Sequence, residues 1–482
     1  MKIVSKCLCF GWGMITFLVL ATNSAAVLNR MDDPSIVGIW QGKLVVPGGE
    51  LRIVFHFTQQ GDTLQSTLDS PDQGAFGIPV STVYFKNDTL WLESKAVRGI
   101  FSGKLQPDRS QINGQWQQSG MSFPLVLKKT EQAPQLKRPQ EPKGPFPYLE
   151  QEVSYRNESA GIMLSGTLTL PKNGAPHPAV LLITGSGPQD RDEMVFGHRP
   201  FLILADYLTR QGIAVLRVDD RGVGKSTGTF ATATSQDFAE DVMAGINYLK
   251  SRSDINPKFI GLIGHSEGGM IAPMVAARSA DVAFMVLLAG TGLTGEQILT
   301  LQAALIMKAN GASEAIIQKN RHIQKQIFDV LKTEPNDSLA AKQIRQIMQT
   351  AMSAMTDEEK LSLGLSEATL ELQVKQVITP WFRFFLTYDP TTALRKVTCP
   401  VLAINGELDL QVPPKENLAA IASALKAGHN PHVTVKELPR LNHLFQTTTT
   451  GSPAEYLKIE ETMSPLALQT IGDWILAQVQ RK

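Results

Sequence analysis

A serine lies at the centre of residues 264–268, whose sequence, GHSEG, has the pattern Gly-x-Ser-x-Gly. An apolar run, FIGLI, precedes these residues and a helix-like run follows them, which is the strand–turn–helix context of a nucleophile elbow. In that turn the neighbouring backbone passes close to the serine, so only small residues fit at the two glycine positions. The pattern predicts that Ser266 is a nucleophile, presented above the edge of a sheet at the start of a helix.

A nucleophilic serine needs a base, and the base needs an acid that orients it. In folds of this kind the order along the chain is serine, acid, histidine, with the last two in loops after later strands. The run HVTVKELPRLNHLF is a strand and a loop that contains His443, the predicted base. The loop of CPVLAINGELDLQVPP contains Glu407 and Asp409, and Asp409 is the predicted acid because it lies past the turn at Gly406. Glu407 remains the alternative.

The other histidines do not fit this order. His177 and His198 flank the first loop of the predicted sheet, and both remain candidates for lining the site. Structural roles are expected for the rest, which are His56, His265, His322, His429 and His432.

Acyl transfer creates a negatively charged oxygen, which needs hydrogen-bond donors. One predicted donor is the backbone N–H of Glu267, the residue after the nucleophile. The other is placed in the turn TGSG, residues 184–187, on the N–H of Ser186. The run DRDE, residues 190–193, is either a charged rim or a structural cluster of ion pairs, and the structural role is favoured.

The stretch RVDDRGVGKSTGTF contains Gly-Lys-Ser at residues 224–226, which resembles the end of a phosphate-binding loop. The full pattern requires a glycine at position 219, where this chain has Asp219, followed by Asp220. Two carboxylates repel phosphate, so no nucleotide partner is predicted. The stretch is expected to be a turn that leaves a buried strand, with Asp220 and Arg221 as a candidate ion pair.

Short apolar runs that alternate with helix-like segments must position these residues. Runs such as VLLITG and CPVLAI are apolar throughout, which predicts an α/β fold with a mostly parallel sheet and helices on both faces. One long stretch of this region is helix-like throughout and contains no strand pattern. It predicts a helical cap inserted into the α/β fold, at about residues 294–390. Met348, Met352 and Met355 fall at helical spacing there, and packing against the sheet domain is favoured over a flexible wall for a substrate chain.

Residues 27–130 have the alternation and turn residues of a small all-β domain, as in LRIVFHFT. Trp40, Trp91 and Trp116 are expected in its core rather than on a sugar-binding platform. The proline-rich residues 131–147 predict a linker to the α/β domain.

The first 26 residues have the layout of a secretory signal, with two lysines, an apolar run and small residues that end at Ala26. Cleavage there, which is favoured over an uncleaved membrane anchor, predicts a periplasmic or secreted protein with no stable membrane span. It also removes Cys7 and Cys9, which leaves Cys399 alone and no internal disulfide. The net charge of +1 gives no basic surface for a nucleic acid partner.

Six motifs together make residues 148–482 resemble the α/β-hydrolase superfamily, and within it the EstD-like bacterial carboxylesterases. These motifs are TGSGPQDRDE, DDRGVGKSTG, GHSEGG, WFRFFLTYDP, NGELDLQVPP and LNHLFQ. The resemblance implies a serine esterase with a helical cap and a preference for short acyl esters. It implies the roles of nucleophile, acid and base for Ser266, Asp409 and His443. One departure is residues 184–185, Thr-Gly, where related enzymes usually have His-Gly, so the first oxyanion donor stays open.

The sequence thus predicts an exported serine esterase that forms an acyl-enzyme on Ser266 and acts on a small-molecule ester. The chemistry requires no cofactor, and no metal-ligand spacing is present in the sequence. A serine peptidase of the prolyl or aminopeptidase kind is the alternative, because it uses the same superfamily and triad. The N-terminal β-rich segment resembles the extra domain that precedes some of these hydrolases, and a third hypothesis gives it a binding role for a polymer or an envelope component.

Overall fold

The computed structural model describes six stretches of the chain, which are residues 36–46, 49–61, 63–71, 75–118, 121–132 and 137–480. The predicted signal segment, residues 1–26, and part of the predicted linker lie outside these stretches. The described chain divides into two compact units, of which the first ends at Lys137 and the second begins at Arg138. No helix in the described stretches has the length and apolar character that crossing a membrane would require.

The first unit is an antiparallel sheet of nine strands. The strands are β1 Gly38–Val46, β2 Gly49–Gln60, β3 Thr63–Ser70, β4 Ala75–Pro79, β5 Thr82–Lys86, β6 Thr89–Ser94, β7 Gly99–Leu105, β8 Gln111–Gln118 and β9 Met121–Thr130. Their order is β4-β3-β2-β1-β9-β8-β7-β6-β5, so β1 and β9 lie side by side in the middle. Buried and exposed residues alternate along strands such as β7, as expected for a sheet with one face on a core.

Two of the three tryptophans of this unit lie in its core. Trp40 is fully buried and donates through Nε1 to the carbonyl oxygen of Ile36 at 2.7 Å, and Trp116 is buried in the same cluster. Trp91 instead stacks on Tyr84, with ring centroids 5.0 Å apart, and Tyr84 is exposed. The core prediction is therefore confirmed for Trp40 and Trp116 and wrong for Trp91, which points to the opposite face of β6.

The second unit contains an eight-stranded sheet in the order β10-β11-β13-β12-β14-β15-β16-β17. The strands are β10 Tyr148–Asn157, β11 Ile162–Pro171, β12 His177–Ile183, β13 Ala214–Val218, β14 Ile255–His265, β15 Phe284–Leu288, β16 Val401–Gly406 and β17 Val433–Leu438. The pairs β10–β11 and β11–β13 are antiparallel, and every other pair is parallel. Every residue of β15 and β16 is buried, as in a parallel sheet covered on both faces. The predicted α/β fold class is confirmed.

Helices cover this sheet on both sides. They are α1 Pro200–Arg210, α2 Ser235–Lys250, α3 Gly268–Ala276, α11 Pro414–Ala427 and α12 Pro465–Val479. Along β12, Ala179, Leu181 and Ile183 pack in a cluster with α2, α3 and α11, whereas Val180 and Leu182 pack in a cluster with α1 and α12. The two faces of each strand thus have separate apolar cores, because successive side chains of a strand point to opposite faces.

The predicted helical cap is inserted between β15 and β16. Its helices are α4 Gly295–Ala309, α5 Glu314–Thr333, α6 Asp337–Ser353, α7 Asp357–Leu363, α8 Glu367–Val377, α9 Pro380–Thr387 and α10 Thr391–Leu394. Met348 and Met352 are buried in an apolar cluster built mainly from these helices, and Met355 packs against that cluster. The methionines were expected to pack against the sheet domain. That expectation is wrong, because they pack in the core of the cap itself.

Candidate active site

The predicted nucleophile lies in a sharp turn between β14 and α3. Ser266 has a φ of +52°, in the left-handed region, and its N–H donates to the carbonyl oxygen of Leu288 at 2.8 Å. A Cβ on Gly264 would lie 2.0 Å from the carbonyl oxygen of Gly268, and a Cβ on Gly268 would lie 2.2 Å from that of Ile183. The turn therefore requires glycine at both positions, and it has the backbone strain of a nucleophile elbow.

The predicted acid and base are in direct contact. Nδ1 of His443, in the loop after β17, donates to Oδ2 of Asp409, in the loop after β16, at 2.7 Å. Both side chains are buried. Oδ1 of Asp409 accepts from the N–H groups of Gln411 at 2.8 Å and Val412 at 2.9 Å, which fixes the orientation of the carboxylate. With Nδ1–H held in this way, Nε2 of His443 is the nitrogen left to accept a proton.

Glu407, the alternative acid, points elsewhere. Its side chain is exposed, and Oε2 accepts from the N–H of Arg440 at 2.9 Å. The structure therefore brings Asp409, and not Glu407, to His443.

The turn of residues 184–187 passes beside the serine. A Cβ built on Gly185 would lie 3.3 Å from the Cβ of Ser266, so the backbone of this turn is close to the position of the attacked carbonyl. Ser186 follows directly and is partly exposed. Glu267 lies at the N-terminus of α3, where backbone N–H groups point away from the helix. This placement suits the N–H groups of Ser186 and Glu267 for the predicted oxyanion role, which stays a prediction.

Thr184 has a buried partner of its own. Its Oγ1 donates to Oδ1 of Asp220 at 2.8 Å, and Oδ2 of Asp220 accepts from the N–H of Gln189 at 2.9 Å. Burial raises the pKa of Asp220 well above its usual value. The expected ion pair of Asp220 with Arg221 is wrong, because Arg221 bonds to Asp241 at 2.7 Å through Nε.

The residues that resemble a phosphate loop close a structural turn. Gly224 has a φ of +55°, and a Cβ there would lie 2.4 Å from Oδ2 of Asp219. Asp219 accepts from Nε of Arg191 at 3.0 Å and from Nη2 at 2.7 Å, and Oγ of Ser226 donates to its carbonyl oxygen at 2.7 Å. The carboxylate of Asp219 thus occupies the space that a phosphate would need.

The DRDE run is mostly a cluster of structural contacts. Arg191 pairs with Asp219, and Asp192 pairs with Arg217. Oδ1 of Asp190 accepts from the N–H of Met194 at 2.9 Å. The structural interpretation is confirmed for these three residues.

Glu193, the last residue of that run, lies at the elbow instead. Oε1 accepts from the N–H of Gly185 at 2.6 Å and contacts Nδ1 of His265 at 2.9 Å. Sequence analysis missed this pair because its members are 72 residues apart. The available signal was a carboxylate in the motif TGSGPQDRDE and a histidine in the motif GHSEGG, since the fold brings both motifs to one edge of the sheet.

The side chain of Glu267 connects the elbow to two other elements. It is buried, and Oε1 accepts from Oγ of Ser235, at the start of α2, at 2.6 Å. The same oxygen accepts from Nε1 of Trp381, on cap helix α9, at 2.8 Å. Burial raises the pKa of the Glu267 carboxyl to about 6, although both hydrogen bonds oppose the shift.

His177 and His198 do not join the triad residues. His177 begins β12, at the opposite end of that strand from the catalytic turn. His198 is fully buried, with Nε2 at 2.8 Å from the carbonyl oxygen of Tyr456 and Nδ1 at 3.0 Å from Oγ1 of Thr462. Burial lowers the pKa of His198 to about 4. In the described stretches, no group of three His, Cys, Asp or Glu side chains has the arrangement of a metal site.

Comparison with known proteins finds similarity to hydrolases. The model of a family described as serine aminopeptidase, S33, matches residues 200–366, which include the elbow and much of the cap. Esterase EstD of Thermotoga maritima is 26% identical over 296 residues, and the match spans 61% of this chain and 61% of the esterase. An uncharacterized 31.7 kDa Escherichia coli protein, encoded in the traX-finO intergenic region, is 26% identical over 278 residues, which are 56% of this chain and 85% of that protein.

Among solved structures, Est1E from Butyrivibrio proteoclasticus with bound ferulic acid is 18% identical, with a TM-score of 0.39, and the match covers 68% of this chain and all of that one. The strand order, the elbow, the inserted cap and the sequence relatives lead to one assignment. The second unit has the α/β-hydrolase fold, and its sequence is similar to the S33 family of that superfamily and to an esterase.

Proposed function

We propose that this protein is a serine esterase that hydrolyses small carboxylic esters through an acyl-enzyme on Ser266. The observation that carries the proposal is the 2.7 Å hydrogen bond between His443 and Asp409, at the sheet edge where the strained elbow presents Ser266. The relationship to the Thermotoga esterase supports the reaction class.

In the acylation step, Oγ of Ser266 attacks the carbonyl carbon of the ester while its proton passes to Nε2 of His443. The carbonyl electrons move to the oxygen, which the N–H groups of Ser186 and Glu267 stabilise. The intermediate collapses, the bond to the alcohol oxygen breaks, and the alcohol leaves with the proton from His443. Asp409 keeps the imidazole in the required tautomer and stabilises its charged form.

In the deacylation step, a water molecule attacks the acyl carbon and gives a proton to Nε2 of His443. The second intermediate collapses, and Oγ of Ser266 takes that proton back as the carboxylic acid leaves. The sum is one ester and one water converted to one acid and one alcohol, with no cofactor.

The cap supports a preference for short acyl groups. Trp381 bonds directly to the residue after the nucleophile, and its ring stacks on Phe385 with centroids 5.2 Å apart. The hydrogen bond holds helix α9 beside the elbow, and we expect the aromatic pair on that helix to limit the room for a long chain next to Ser266.

Export is part of the same proposal, on the basis of the signal-like composition of residues 1–26. A binding role for the first unit stays a separate hypothesis, for which the exposed stack of Tyr84 on Trp91 is a testable feature. Tyr84→Ala with Trp91→Ala should reduce turnover of polymeric esters and leave soluble esters unaffected if the unit binds the polymer.

The test is hydrolysis by protein from Val27 onward, compared with Ser266→Ala. Both are given p-nitrophenyl acetate, butyrate and octanoate, and a panel of aminoacyl p-nitroanilides. We expect ester turnover that falls with chain length and disappears in Ser266→Ala, without amide turnover. Dominant amide turnover would assign the protein to the peptidases, and equal rates for both proteins would refute the role of Ser266.

A further inference from the structure

Two buried groups outside the triad connect three catalytic loops. Oε1 of Glu193 accepts from the N–H of Gly185 at 2.6 Å, in the turn that carries Ser186, and contacts Nδ1 of His265 at 2.9 Å. His265 immediately precedes the nucleophile, and its Nε2 contacts the carbonyl oxygen of His443 at 3.0 Å. Glu193 and His265 are both buried. One carboxylate and one imidazole thus link the oxyanion turn, the elbow and the loop of the base.

The partners of His265 decide its protonation. A carbonyl oxygen only accepts hydrogen bonds, so Nε2 carries a proton and donates it to His443. Nδ1 faces a carboxylate, which also accepts, so the ring carries its second proton there when Glu193 is ionised. Burial alone lowers the pKa of an imidazole, but the charge and hydrogen bond of Glu193, the carbonyl oxygen of His443 and the charge of Asp409 together outweigh burial, and the pKa of His265 is raised.

The charges around the pair of Glu193 and His265 favour a positive His265. The rings of His265 and His443 have centroids 4.8 Å apart, whereas Glu193 lies on the far side of the His265 ring, at Nδ1. Asp409, beyond His443, favours the charged form of His265, and Asp220, at the end of β13, interacts unfavourably with Glu193. The positive member of the pair is therefore the one next to the base.

One carboxylate oxygen of Glu193 indicates that this residue has a functional role in addition to stabilising the fold. Oε2 is buried and has no hydrogen-bond partner in the described part of the chain. Glu193 also has a φ of +52°, a conformation that residues with side chains adopt at a cost. Unsatisfied buried groups and strained backbone cluster at functional sites.

We propose that Glu193 and His265 form a positioning pair that fixes the oxyanion turn, the elbow and the base loop relative to one another. The pair touches no reacting atom; it acts through Gly185 and through the carbonyl oxygen of His443. The inference rests on the proposed esterase function, and it deepens it by adding two residues that set the geometry and the charge around the triad.

The test compares Glu193→Gln, His265→Gln and the double variant with wild type, on p-nitrophenyl butyrate. A displaced catalytic group costs about 10- to 100-fold in rate, so we expect kcat to fall by that factor while KM stays nearly constant. Because the two residues act as one unit, the double variant should lose no more than the worse single variant. Loss of the adjacent positive charge should also raise the pH of the acid limb of kcat/KM, since His443 becomes easier to protonate.

The matched control is Asp241→Asn, which removes a part-buried carboxylate that pairs with a different cation, Arg221, and bonds to none of the triad residues in the described part of the chain. It should lower thermal stability without moving kcat or the acid limb. Losses that multiply in the double variant, or an acid limb that stays in place in both single variants, would overturn the pair. If Glu193→Gln does not fold, His265→Gln alone tests the pair, through its kcat and through the acid limb of its kcat/KM profile.

A readout without substrate separates this inference from the proposed function. Nitrogen-15 NMR of labelled histidine should show a pKa of His265 above the usual value of 6.5 in wild type, and in Ser266→Ala as well. A pKa at or below the usual value would overturn the pair even in an active enzyme. Failure of wild type to hydrolyse any ester would refute the proposed function, and the raised pKa of His265 would still be observed.

Discussion

Trp381 of the cap donates a 2.8 Å hydrogen bond to Glu267, the residue that follows the predicted nucleophile. The cap is therefore attached to the catalytic turn through the side chain whose own backbone N–H is a predicted oxyanion donor. We expect a shift of helix α9 to reach that turn through this hydrogen bond and to change the alignment of the predicted oxyanion donor.

Trp381→Phe removes this hydrogen bond and keeps most of the aromatic contact with Phe385. The buried Glu267 then loses one of two donors, so we expect the free energy of unfolding to fall by about 1–3 kcal/mol. Urea unfolding measures this change, and KM for p-nitrophenyl butyrate should rise. The control is Trp474→Phe, whose indole donates to Oγ1 of Thr434 at 3.3 Å and lies in α12. Equal KM values in both variants would contradict a role of the cap contact in substrate binding.

The carboxyl of Glu267 should make stability depend on pH. Its pKa is raised from 4.5 to about 6 in the folded protein. The folded state binds this proton more tightly, so the stability gained from it is full below pH 4.5 and is lost as the pH rises through 6. The loss amounts to about 2 kcal/mol. Glu267→Gln does not titrate, so its stability relative to wild type should rise by that amount between acidic and neutral pH.

Urea unfolding of wild type and Glu267→Gln at several pH values measures the difference between their free energies of unfolding. The contributions of the other titrating groups are the same in both proteins and cancel in this difference. A difference that does not change with pH would mean that the pKa of Glu267 is the same in the folded and unfolded states.

Asp409 and Glu407 provide a matched pair of acids in one loop. Asp409→Asn keeps the shape of the side chain but no longer favours the tautomer with Nδ1–H on His443, so we expect kcat to fall by about 10⁴-fold. Glu407→Gln, two residues earlier, should change kcat less than about twofold, because its exposed side chain bonds to the backbone of Arg440 and not to His443. Ester hydrolysis at neutral pH measures both, and a large loss in Glu407→Gln would reverse the assignment.

Gly224 tests the loop that resembles a phosphate site. In Gly224→Ala the new Cβ would meet the carboxylate of Asp219, and the positive φ adds strain. We expect a loss of stability of more than about 1 kcal/mol, with kcat unchanged. Gly212→Ala, with a φ of +91° and no heavy atom within 4 Å of the new Cβ, measures the strain alone. A rise in the melting temperature of wild type with ATP would contradict the structural interpretation of the loop.

Local patterns were sufficient for the fold class and for the contact between Asp409 and His443, because a parallel sheet brings the loops after its strands to one edge. The same patterns could not pair Glu193 with His265, or Arg221 with Asp241, since such choices depend on how separate loops pack. The error at Trp91 was avoidable. Leu90 and Leu92 are both buried on one face of β6, so the alternation of a strand places residue 91 on the other face.

The insertion of the cap between β15 and β16 also has a consequence for biosynthesis. His265 and His443 are in contact yet lie 178 positions apart, and the whole cap is translated between them. A ribosome that has completed the turn of Ser266 has not yet made Asp409 or His443. Under the proposed function, we therefore expect a nascent chain, or a chain truncated before β16, to have no esterase activity.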